Sequence, residues 1–121
     1  MSKKINVARL TSEARHTVTV KLKLEDEIGN VEEMDARVVY RGMSLRDAAA
    51  LDEKLEGKDA RTQLIEALAV IVIALPDFAG ENGEPVEPTV EFWDTLDTVV
   101  LNHIHDRVME DRVPPTRRSG S

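Results

Sequence analysis

No cysteine occurs in the 121 residues, which excludes a disulfide framework, a thiolate zinc site and a cysteine nucleophile. Aromatic residues are nearly as scarce at 3%, namely Tyr40, Phe78, Phe92 and Trp93. Three of the four fall between residues 78 and 93, so that segment concentrates packing or a contact. No apolar stretch reaches the roughly 20 residues of a membrane-spanning helix. The basic start Met1-Ser2-Lys3-Lys4 leads into mixed polar residues rather than an apolar signal core. A soluble cytoplasmic protein is therefore expected. Lysine and arginine are missing from Glu66 to Asp106, where nine acids stand, and the net charge is -7. An acidic half repels phosphate backbones, so no nucleic-acid binding is expected, while a basic protein partner fits.

What is present is a chain 41% apolar and 32% charged, long enough for one globular domain. Residues 1–14 lack periodicity and read as a flexible arm. Strict alternation then sets Val18, Val20, Leu22 and Leu24 against Thr17, Thr19, Lys21 and Lys23. After the turn signal Gly29-Asn30, a second alternating run carries Met34, Ala36, Val38 and Tyr40 on one face. The two runs predict an antiparallel hairpin over 15–41, whose apolar face needs a cover.

Ser44 is placed to cap a helix over 44–56, with Leu45, Ala48, Leu51 and Leu55 on one side and Gly57 at its end. A second helix is expected over 59–75 and contains the nine-residue apolar run Ala67–Leu75. Such a run has no wet face and must be enclosed by the domain or by a partner. For Val70–Ile73 a short buried strand is the competing reading; length and phase favour the helix, which Pro76 closes. Asp77–Pro88 reads as a loop. Trp93, Leu96, Val100, Ile104 and Val108 then form a stripe on a last helix over 89–112, with a break conceivable at Asp97. Residues 114–121 have the composition of a disordered tail. The fold class is thus α+β: an N-terminal antiparallel hairpin followed by three to four helices in a single small domain over 15–113.

Chemistry-bearing constellations are missing. His103 and His105 are two apart, so on a helix their rings diverge, whereas a helical metal pair needs a spacing of four. His103 is expected near the packed face and His105 in solvent. The acids from Glu81 to Glu87 lack calcium-loop spacing, and Gly80-Glu81-Asn82-Gly83 is too acidic to cradle phosphate. No enzyme, metal or cofactor is expected.

The order of parts nonetheless resembles a known family. A charged hairpin runs through Tyr40-Arg41-Gly42-Met43-Ser44-Leu45 into helices and an apolar segment. The loop Asn82-Gly83-Glu84-Pro85-Val86-Glu87-Pro88-Thr89 precedes a helix that ends in Val113-Pro114-Pro115 and a polar tail. Over residues 15–115 this is similar to the tail assembly chaperones of long-tailed bacteriophages. Asn82 stands where the family pattern has an acid, and its aromatic-acid pair appears only as Asp77-Phe78. The resemblance implies a non-enzymatic chaperone in the host cell cytoplasm that coats the apolar tape measure protein. It also implies displacement by tail tube protein, recruited through a frameshift-extended form, and self-association along the client. A structural virion subunit, for tail completion or head–tail connection, is the alternative. Partner-binding residues are expected at Leu75, Phe78, Phe92, Trp93, Ile71 and Val72.

Overall fold

A computed structural model describes residues 4, 7–11 and 13–112. The chain forms a three-stranded antiparallel sheet with helices on one face, a single small α+β domain. Within the expected N-terminal arm, Val7–Leu10 forms a short 3₁₀ turn. The expected disordered tail, 114–121, lies outside the described residues.

Strands β1 (Arg15–Glu25) and β2 (Val31–Arg41) pair along their full length. Their register sets Val18 opposite Val38, Val20 opposite Ala36 and Leu22 opposite Met34 on the face toward the helices. On the other face Lys21 opposes Asp35 and Lys23 opposes Glu33, so charges of opposite sign meet across the strands. The connecting turn is built by Asp26, whose carboxylate accepts from the amides of Ile28 and Asn30, both at 2.9 Å. These bonds hold the Asp26 carboxyl below the usual range. Gly29, at φ 90°, supplies the left-handed residue the turn requires.

Helix α1 (Leu45–Leu55) starts where Ser44 Oγ accepts the Asp47 amide at 3.1 Å and ends before Gly57, at φ 79°. Of its expected stripe only Leu51 is buried; Leu45 is 91% exposed. Leu45 occupies the first helical position, directly after the Ser44 cap. Helix α2 (Ala60–Ile71) is capped by Asp59, whose Oδ1 accepts from the Thr62 amide at 2.7 Å. It buries Ile65, Ala67, Leu68 and Ile71.

The expected helix over 59–75 is corrected at its end, because the chain leaves α2 after Ile71 and becomes strand β3 (Val72–Ala74). Val72 pairs with Tyr40 and Ala74 with Val39, across a bulge, so β3 lies beside the root of β2. Two causes combine. Pro76 has no N–H to continue the helix, and the β-branched run Val70–Ile73 fits an extended backbone. Both readings of the apolar run therefore hold, each for its own half, and no residue of it is fully exposed.

The expected last helix over 89–112 is likewise corrected to two, α3 (Val90–Asp94) and α4 (Thr98–Arg112). Thr89 caps the first, accepting from the Phe92 amide at 3.2 Å. Asp97 opens the second: its Oδ1 accepts the Val99 amide at 2.8 Å and its carbonyl accepts the Leu101 amide at 3.0 Å. The guanidinium of Arg61 from α2 locks the junction, donating to Thr98 Oγ1 and to the Asp94 and Leu96 carbonyls at 2.7–2.9 Å. The break resets the helical phase, so α4 buries Leu101, Ile104 and Val108. Trp93, Tyr40, Leu68 and Ile71 complete the centre of the core.

Candidate docking surfaces

Of the six residues expected at a partner surface, four belong to the core. Ile71, Val72, Leu75 and Trp93 are 0–3% exposed, and a side chain without accessible area has none to offer a partner in this state. Those four lie inside the domain rather than on its surface. The Trp93 indole N–H is buried without an acceptor among the described residues. Phe78 and Phe92 remain half-buried, meeting edge to face with centroids 6.3 Å apart.

The exposed apolar surface lies elsewhere. Strands of 11 residues run about 36 Å, whereas α4, at 15 residues, runs about 22 Å. The hairpin therefore outruns its helical cover by roughly four residues. On that projecting arm Leu24 and Met34 are each 48% exposed, and Val99 faces solvent at the start of α4. Between arm and helix lies a cleft of about 330 Å³ lined by Leu22, Leu24, Val99, Val100 and His103, with Lys21 and Lys23 at its rim. The alternation of residues 18–24 was the available signal, since it carries the apolar face out to Leu22 and Leu24.

The free edge of β1 is managed by α4. His103 Nε2 lies 2.8 Å from the Lys21 carbonyl oxygen, and Arg107 donates to the Thr19 carbonyl at 3.2 Å. Two side chains one helical turn apart thus occupy acceptors that another strand would otherwise use. The expected positions of the histidines are reversed: His103 is exposed at the sheet edge, and His105 is half-buried toward α2. Burial pushes the His105 imidazole below its ordinary pKa, with Asp106 opposing the shift. No group of three metal-ligating side chains assembles among the described residues, and no helix there is long and apolar enough to cross a membrane.

Comparison of the chain with protein-family models, characterised proteins and solved structures finds no match in any of the three.

Proposed function

We propose that the protein is a non-enzymatic assembly chaperone of the long-tailed phage type, holding apolar helical segments of the tape measure protein in the host cytoplasm. One observation carries the reading. Leu24 and Met34 on the hairpin arm, and Val99 across the cleft, present apolar area that the chain's own elements leave uncovered. A cleft between a sheet edge and a helix end accepts one side of an amphipathic helix. Lys21 and Lys23 on the rim keep the loaded complex hydrated. The modest size of the cleft suits a client that must later be released to tube protein. Coating a long client takes many copies, so self-association belongs to the same reading.

The test is co-expression with a phage tape measure protein. The wild-type chain is expected to keep the client in the supernatant, and Leu24→Glu with Val99→Glu to leave it in the pellet. A folded double variant that still solubilises the client refutes the cleft as the client site. A stoichiometric presence of the chain in purified virions overturns the chaperone reading in favour of a tail completion or connector subunit.

A further inference from the structure

The two edges of the hairpin are treated differently. On β1, side chains of α4 occupy the carbonyls of Thr19 and Lys21. On β2, strand β3 covers only Val39 and Tyr40, and the Asp77 carboxylate takes the next outward amide, that of Arg37. Among the described residues no strand pairs with the outer edge of β2 from Val31 to Ala36. Alternate residues of a strand turn their N–H and C=O groups to the same side. The amides and carbonyls of Asp35, Glu33 and Val31 therefore point outward with the Arg37 amide, in continuation of the line of β3.

This open stretch is acidic. From Leu24 to Ala36 there are six acids and no lysine or arginine. Glu33 and Asp35 stand on the sheet face away from the helices, with Lys23 and Lys21 opposite them one strand further in. Glu32 and the 48% exposed Met34 lie on the other face. Arg37, the cation that ends the stretch, is held by Asp77 at 2.7 Å. A strand laid antiparallel along this edge would set alternate side chains beside Glu33 and Asp35, and the one between them beside Met34. That arrangement selects an extended segment alternating cationic and apolar residues, taken up by strand addition. A second copy does not meet the requirement. Its β2 would bring Glu33 and Asp35 against the same acids, and its β1 has outer carbonyls already taken by α4. We propose that the outer edge of β2 over residues 31–36 is a docking site for a basic, extended strand of another protein. The site lies across the arm from the β1–α4 cleft and does not depend on what the cleft binds.

Backbone geometry decides which amides of the guest matter. In an antiparallel pair, the residues directly opposite Glu33 and Asp35 turn their own N–H and C=O groups toward β2 and their side chains to the same face. The guest's cationic residues thus make the main-chain bonds, and its apolar residues turn their amides to solvent. A guest of five residues spans about 17 Å, the length from Val31 to Asp35.

The probe is the synthetic peptide acetyl-Lys-Val-Lys-Val-Lys-amide, titrated into the isotope-labelled full chain. At saturation, amide exchange at Val31, Glu33 and Asp35 is expected to slow at least about tenfold, while Glu32 and Met34, turned toward β1, change little. Methylating the peptide's lysine amides should abolish binding, and methylating its valine amides should not. Glu33→Gln with Asp35→Asn should weaken binding about fivefold. Val99→Glu, which alters the cleft, should leave peptide binding intact. Equal loss with either methylated peptide, unchanged affinity in the Glu33→Gln/Asp35→Asn variant, or shifts confined to Val99, Val100 and His103 overturn the proposal. So does edge protection that is present without peptide and fades on about tenfold dilution, since a second copy would then be the occupant.

Discussion

Arg37 gives both its backbone amide and its guanidinium to the carboxylate of Asp77. The amide reaches Oδ2 at 2.8 Å, Nε reaches Oδ2 at 2.9 Å, and the terminal nitrogen reaches Oδ1 at 2.7 Å. Asp77 thus takes up an amide of β2 just past the end of the three-residue strand β3, where Pro76 follows. A side chain substitutes there for the missing length of strand.

The first prediction concerns acid. Hydrogen bonds from Arg37, side chain first and then backbone, hold the Asp77 carboxyl down at about 2. A carboxyl depressed on folding adds stability that is complete above its unfolded value, about 4, and is lost as pH falls toward the folded value. Asp77→Asn should flatten the pH dependence of the urea midpoint between about pH 4 and pH 2. An unchanged acid limb would show that the Asp77 carboxyl binds protons alike in the folded and unfolded states.

The second concerns alkali. Burial, and next the bond to Asp111, raise the Tyr40 hydroxyl well above its ordinary pKa. The protonated phenol is the form favoured by folding, so its contribution is complete below about pH 10 and drains away as pH rises further. Tyr40→Phe should lower stability by about 1–2 kcal/mol at neutral pH and remove this extra alkaline loss. Chemical denaturation at neutral and alkaline pH reads both effects.

Arg61→Ala removes three donors from the α3–α4 junction and leaves the Asp94 and Leu96 carbonyls to water. A loss of about 1–3 kcal/mol is expected, with Arg61→Lys recovering only part because a single ammonium cannot span the same acceptors. Thermal unfolding of the two variants beside wild type measures it.

Ile71→Asp places a carboxylate in the centre of the core, where Ile71 is 1% exposed. Destabilisation above about 4 kcal/mol is expected, enough to unfold a domain of this size. Circular dichroism should report lost helix. Leu24→Glu, on the exposed arm, should by contrast stay within about 0.5 kcal/mol of wild type.

The hairpin and the cap at Ser44 were legible because each rests on local chemistry: alternation, or a short polar side chain before an apolar run. The split of Ala67–Leu75 was only half legible. Its β-branched residues signalled a strand, but the partner that makes one worthwhile, the free edge of β2 at Val39 and Tyr40, lies some thirty residues earlier in the chain. Asp97 signalled a cap, yet the commitment to two helices comes from Arg61 in α2. The exposed apolar surface was not legible for a different reason: scarcity singles out Phe78, Phe92 and Trp93, whereas exposure is decided by which element runs out of cover, a question of lengths.

Val72 belongs to two elements at once: its amide donates to the Leu68 carbonyl at the end of α2, while it pairs with Tyr40 in the sheet. No linker separates them. The root of the sheet therefore cannot open without unwinding the last turn of a core helix, and amide exchange at β3 and in that turn should proceed as one event. The far end of the hairpin has no such tether and should exchange orders of magnitude sooner. The same pair of strands would then have two lifetimes, long at the end that holds the domain together and short at the end that meets a visitor.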